Sequence, residues 1–174
     1  MEFCDRRAAK HLDRRDCRRA VYRRIDPAVC HQPARNAQRA RRRLIDVGRA
    51  GEFIAATRIE LGGWRAVPAT ADAVDIVAMS DDGRVLRVQV KSTRKPYTKN
   101  GYYYFGTCRG RHRRGLTKSD CDIVAMVALD LGRCVFRRVE ELNRAVTTRL
   151  SPDAMSIEAE AESFQKSFGD GEKQ

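Results

Sequence analysis

The sequence predicts an α/β domain with a mixed central β-sheet and helices packed on it, and three observations lead there. Residues 44–62 carry apolar side chains at helical spacing, a series of short segments rich in β-branched residues follows, and residues 140–150 read as a closing helix. At 174 residues the chain can hold one core plus tails, because a single hydrophobic core organises about 100 to 150 residues. The boundaries follow the composition: 1–43, 44–150 and 151–174.

Residues 1–43 contain fourteen Lys and Arg against five Asp and Glu, a net of +9, with few large apolar side chains. Such a segment has too little apolar surface to hold a fold of its own, and it reads as a basic arm or extension. A backbone-tracking arm, a solvated helical extension and a misassigned start all fit it.

Leu44 to Gly62 reads as a helix closed by Gly62-Gly63, a natural stop. Trp64–Pro68, Val74–Ser80 and Arg84–Ser92 read as strands, with Tyr102–Thr107 as a fourth. Residues 108–118 form a basic, glycine-containing loop. Asp122–Leu129 and Cys134–Val139 read as a hairpin, and Glu140–Leu150 as a helix. Beyond Ser151 the chain turns acidic and reads as a tail, with Pro152 suited to a first helical turn and Phe164 and Phe168 spaced to dock it.

The whole chain has a formal charge of +12 and a pI near 9.9, mostly from arginine, whose planar fork of donors suits phosphate. Nucleic acid is therefore the leading partner class. No stretch approaches the roughly 18 to 20 apolar residues a bilayer span needs, and the first residues lack the apolar core of a secretion signal. The expectation is a soluble, cytoplasmic, nucleoid-associated protein without a membrane partner. The six cysteines form no Cys-x-x-Cys pair, which argues for reduced thiols. A site from Cys4, His11, Cys17, Cys30 and His31 can be drawn, but its spacings match no zinc module.

The chemistry concentrates in one hairpin. Asp81-Asp82-Gly83 reads as a three-residue loop in which glycine takes the left-handed conformation. With Ser80 facing Arg84, Asp75 lies across from Gln89 with Cβ atoms about 5 Å apart. Lys91 shares their face because side chains alternate along a strand, while Val74, Ile76, Val88 and Val90 point the other way. On the preceding helix, Gly48, Glu52, Ala55, Ala56 and Ile59 fall on one side, which sets a carboxylate among small and apolar neighbours and calls for a partner. The bland alternative is a half-exposed hairpin whose outward positions are polar.

Gly51-Glu52 on the first helix, Val74-Asp75-Ile76-Val77 on one strand and Val88-Gln89-Val90-Lys91-Ser92-Thr93 on the next resemble the PD-(D/E)XK nuclease superfamily. The likeness is nearest to the subgroup with an intron-encoded homing endonuclease, in which glutamine replaces the second acid before x-Lys, and more distant to archaeal Holliday junction resolvases. It covers residues 44 to 145 and implies a restriction-endonuclease-like fold, a mixed central β-sheet flanked by helices. It also implies a metal-dependent DNA endonuclease, hydrolysing phosphodiester bonds to a 5′-phosphate and a 3′-hydroxyl. Glu52, Asp75, Gln89 and Lys91 would form the catalytic site. Asp75, Gln89 and the carbonyl of Val90 would hold Mg²⁺, with Mn²⁺ able to substitute. Lys91 would hold the attacking water, and Glu52 would orient a metal-bound water or help hold a second ion.

Substrate grip is expected from Arg94, Lys95 and Lys99 after the catalytic strand and from Arg109, Arg111, Arg113, Arg114 and Lys118 in the basic loop. Tyr97, Tyr102, Tyr103 and Tyr104 are interleaved with these charges, and at least one of the three consecutive tyrosines should be core. A nuclease-fold DNA-binding module that is catalytically weak or inactive is the alternative, and a structural or toxin-like partner protein is a third. A symmetric cut of both strands would call for a homo-oligomer, although no interface is legible.

Overall fold

The computed structural model describes residues 46–69, 74–110 and 113–169. The basic segment 1–43, the drawn Cys/His cluster and Arg111 lie outside the described residues. Residues 46–61 form helix α1. The strands are β1 (Arg65–Pro68), β2 (Ile76–Met79), β3 (Val85–Thr93), β4 (Tyr103–Phe105), β5 (Cys108–Arg109), β6 (Arg114–Gly115), β7 (Ile123–Ala128), β8 (Arg133–Arg138) and β9 (Thr148–Leu150). Helix α2 covers Ile157–Phe168, capped at its start by Ser156, whose hydroxyl accepts from Ala159 N–H at 3.1 Å.

Five strands form the central sheet in the order β1-β2-β3-β7-β8. All neighbours are antiparallel except β3 and β7, which run parallel and make the sheet mixed. A parallel pair needs a crossover, and residues 94–122 supply it, carrying β4, β5 and β6 across one face. Alternation along the strands then divides the core. Ile76, Ala78, Val88, Val90, Ile123, Ala125, Val127 and Phe136 face α1 and α2, through Ala55, Ile59 and Phe168. Val124, Met126, Ala128 and Val135 face the other way and pack under Tyr103, Phe105, Leu116, Cys121, Leu142 and Leu150. The β7 strand is buried along its whole length, as a central strand covered on both faces must be.

Two glycines allow the close approach of α1. A Cβ on Gly51 would lie 1.8 Å from Ser92 Oγ on β3, and one on Gly62 would lie 2.0 Å from the Phe164 ring on α2. The helix therefore sits on β3 at Gly51 and is stoppered at its end by α2.

Three expectations change. Glu140–Leu150 is not a helix: Val139–Leu142 makes one 3₁₀ turn, after which Asn143 and Arg144 take left-handed φ of 48° and 58° and the chain leaves as β9. Val146, Thr147 and Thr148 are β-branched, which favours an extended path. Tyr103–Phe105 does not join the central sheet but pairs with β9, with Tyr104 opposite Arg149. The acidic segment after Ser151 is a core element rather than a tail. Phe168 is 1% exposed, stacks on Phe164 at 4.4 Å and meets Trp64 and Phe136 edge-on, so removing α2 would open the apolar cluster on that face.

Candidate active site

The β2–β3 hairpin has the register expected from its loop. Ile76 pairs with Val88 and Met79 with Val85; Ser80 N–H donates to Arg84 C=O at 3.0 Å, and Gly83 closes the turn at φ 86°. The ladder ends at the Ile76–Val88 pair, and Gln89 meets Asp75 through its side-chain amide rather than through a further ladder pair. Asp75 stands just before β2, where its backbone is shared between neighbours. Its carbonyl accepts from Ala69 N–H at 2.9 Å, while its own N–H donates to Val88 C=O at 3.0 Å.

The Asp75 side chain folds back onto β3. Its Oδ2 accepts from Val90 N–H at 2.6 Å and from the Gln89 side-chain amide, Nε2. In an extended strand both main-chain groups of one residue lie on the same edge, so the Val90 carbonyl shares the β2-side edge of β3 with the N–H that bonds Asp75. Gln89 is only 8% exposed, so this amide is buried and needs the bond it makes. Lys91 follows on the same face. It is half-buried; burial pushes the nearby Cys121 thiol up to about 11 against the partly offsetting charges of Arg87 and Lys91.

Glu52 stands on the other layer, within electrostatic reach of Asp75. Helix α1 packs on the Val88/Val90 face, with Gly51, Ala55 and Ile59 buried and Glu52 at the margin of that stripe. Gln89 and Lys91 alternate with these valines and point to the opposite face. Because Asp75 lies at the end of the two-strand ladder, its charge still reaches Glu52. Burial raises the Glu52 carboxyl above the usual carboxylate range, the Asp75 charge raises it further, and Arg49 partly offsets both. Two carboxylates so arranged repel each other, and a cation shared between them would relieve the repulsion.

The donor set suits a hard divalent cation. Carboxylate oxygens of Asp75 and Glu52, the Gln89 amide oxygen after half a turn of the amide, and the Val90 carbonyl are all oxygen donors. Among the described residues no group of three or more His, Cys, Asp and Glu could hold a metal ion.

Basic residues divide into two sets. Arg109 and Arg114 bind the carboxylate of Asp120 at 3.0 and 2.7 Å, and Asp120 is 4% exposed. Thr117 adds its N–H and hydroxyl to Asp120 at 3.1 and 2.9 Å, and Lys118 meets Glu140 at 3.2 Å. These side chains therefore fold the crossover, a duty that sequence reading did not assign to them. The signal was present, since Thr117-Lys118-Ser119-Asp120 is a turn-forming string whose acid stands near three arginines. Arg113 is exposed at φ 49°, and Arg94, Lys95 and Lys99 are exposed beyond β3. Of the consecutive tyrosines, Tyr103 is core at 2% exposure and Tyr104 stands out at 40%. Asp122 was missed as well: its carboxylate receives the Arg87 N–H at 2.9 Å and its guanidinium at 3.1 Å, pinning the start of β7 to β3.

Cys108, Cys121 and Cys134 are free thiols, and among the described residues no helix is long and apolar enough to cross a membrane. No protein-family model matches the chain, and no curated protein matches it. Among solved structures it is similar to a bacterial homing endonuclease, I-Ssp6803I, with 24% sequence identity, 60% of this chain and 75% of that chain covered, and a TM-score of 0.52. The mixed α/β architecture that brings Asp75, Gln89 and Lys91 together is thus a fold this chain shares with a homing endonuclease.

Proposed function

We propose that the chain is a metal-dependent DNA endonuclease of the PD-(D/E)XK type that hydrolyses phosphodiester bonds. The observation that carries this reading is the meeting of Asp75, Gln89 and the Val90 main chain, with Lys91 on the same face and Glu52 within electrostatic reach. The fold likeness to a homing endonuclease and the charge of +12 support DNA as the substrate.

Asp75, Gln89 and the Val90 carbonyl would hold Mg²⁺, or Mn²⁺ in its place, and Glu52 would bind through water or help hold a second ion. When bound, the cation supplies Lewis-acid polarisation of a phosphoryl oxygen and lowers the pKa of water. The chain's own residues do the rest. Lys91, on β3, would orient the attacking water through its ammonium donors and balance charge that develops on the phosphate oxygens. Gln89 holds Asp75 in place through its amide, and Asp75 holds β3 through Val90 N–H. Arg94, Lys95, Lys99 and Arg113 supply backbone contacts, and a protein so engaged would reside with the nucleoid. Cutting both strands symmetrically would call on a homodimer.

Nicking of supercoiled plasmid in Mg²⁺ or Mn²⁺, measured against Lys91→Ala, tests the reading. Nicking by the parent and its loss in the variant is the expected result. A second reading, a DNA-binding module without catalysis, draws on one observation: the Gln89 amide already satisfies Asp75 without a cation. Duplex binding without nicking would select it.

A further inference from the structure

Beyond the end of β3 lies a cleft of about 530 Å³, within the range of small-molecule sites and lined by Arg94, Lys95, Pro96, Tyr97 and Tyr104. Tyr97 and Tyr104 are 50% and 40% exposed. Their rings meet edge to face, with centroids 6.0 Å apart and planes at 84°, an arrangement that leaves a π-face open to a ligand. Exposed tyrosines are ordinary on a protein surface, but here the Tyr97 main chain and the Tyr104 hydroxyl are both held. Tyr97 C=O accepts from Asn100 and Gly101 N–H at 3.3 and 2.8 Å, and Tyr97 N–H donates to Tyr102 C=O at 2.8 Å. The Asn100 side chain donates to the Tyr104 hydroxyl at 2.8 Å, and Gly101 takes the φ of 71° that closes the turn. A rigid aromatic pair costs little entropy to engage.

We infer that this cleft is a stacking site for an unpaired DNA base, with the adjoining phosphates on Arg94 and Lys95. Two features of the cleft choose that occupant. Aromatic faces beside cations fit a base and its backbone together, whereas phosphate alone would need no rings. The cleft also begins at Thr93, two residues beyond Lys91 on the same strand, or about 7 Å along it. A base seated there belongs to a nucleotide close to the scissile phosphate, and such a base can stack on tyrosine only when it is out of the duplex. The inference deepens the nuclease reading and rests on it for the position of the cut: the substrate class becomes DNA with an unpaired nucleotide beside the cleavage site.

The test is binding by the full chain, without divalent metal, of a fluorescently labelled thymidine oligonucleotide and of an abasic oligonucleotide of equal length. The thymidine strand should bind about tenfold more tightly. Tyr97→Ala and Tyr104→Ala should bring its affinity down to the abasic level, while Tyr97→Phe and Tyr104→Phe, which keep the ring but lose the hydroxyl, should retain it. Equal affinity of the parent for both strands would overturn the inference, as would phenylalanine variants that fall as far as the alanine ones. Tighter binding of a uridine oligoribonucleotide would overturn the choice of DNA. Plasmid nicking without base-dependent binding sinks only this inference, and base-dependent binding without nicking sinks only the nuclease reading.

Discussion

The carboxylate of Asp75 accepts the main-chain N–H of Val90 at 2.6 Å, so one side chain takes the place of the next rung in the β2–β3 ladder. An acid that would offer oxygen to a cation thereby also positions the main chain of Val90. Asp75→Ala should leave that N–H without a partner and cost about 1–3 kcal/mol, whereas Asp75→Asn keeps an acceptor and should stay within about 1 kcal/mol of the parent. Both should lower DNA cleavage by about 100-fold or more. Thermal unfolding beside a nicking assay separates the two effects; cleavage that survives in Asp75→Asn would remove Asp75 from the chemistry.

Gln89 gives the site less negative charge than a second acid would, so cleavage should require Mg²⁺ of millimolar order. Gln89→Ala should lower the rate strongly at every Mg²⁺ concentration. Gln89→Glu restores an acid at this position and should shift the Mg²⁺ titration midpoint to lower concentration. If the alanine variant cuts as well as the parent across the titration, Gln89 is not a ligand.

The Glu52 carboxyl is held above its ordinary range by burial and by Asp75. A carboxyl whose folded pKa is raised binds its proton more tightly in the folded state. Its contribution is favourable below the unfolded value and declines as pH rises through the raised one. In metal-free protein, Glu52→Gln should therefore raise Tm at pH 7, and the difference from the parent should close near pH 4 and below. The gain should be well under about 1 kcal/mol, because Glu52 is partly exposed. Mg²⁺ should stabilise the parent more than the variant. Equal Tm gains from Mg²⁺ in both would show that Glu52 does not face the cation.

Asp120 has the opposite sign. The Arg114 guanidinium, the Thr117 hydroxyl and N–H, and Arg109 hold its carboxyl well below the usual range despite burial. Its stabilisation is present above the unfolded value near pH 4 and is lost as pH falls toward the folded one. Asp120→Asn should cost about 1.5–3 kcal/mol at pH 7, with the deficit shrinking as acid protonates the parent. A difference in Tm that is constant from pH 7 to pH 3 would contradict the assignment. Arg114→Ala should likewise act mainly through stability, whereas Arg113→Ala should leave Tm unchanged and lower the salt slope of DNA binding by about one unit.

The hairpin was legible because its information is local. Asp81-Asp82-Gly83 fixes the loop, the loop fixes the register, and the period of two along a strand sends Gln89 and Lys91 to one face, where the Gln89 amide meets Asp75. The existence of α1, the five sheet strands and the free thiols among the described residues came from the same short-range signals. What lay beyond them depended on contacts distant in sequence. Residues 140–145 have helical composition, but Arg144 is seated over Gly115, where a Cβ would lie 1.8 Å from the Arg144 carbonyl oxygen, and Leu150 is buried with Tyr103. Helix α2 is acidic overall and reads as a tail until Trp64 and Phe136 supply the surface that Phe164 and Phe168 cover. Only tertiary packing could decide that Arg109 and Arg114 serve Asp120, or that Glu52 reaches Asp75 from the opposite layer, because a charge in a sequence shows its sign but not its partner.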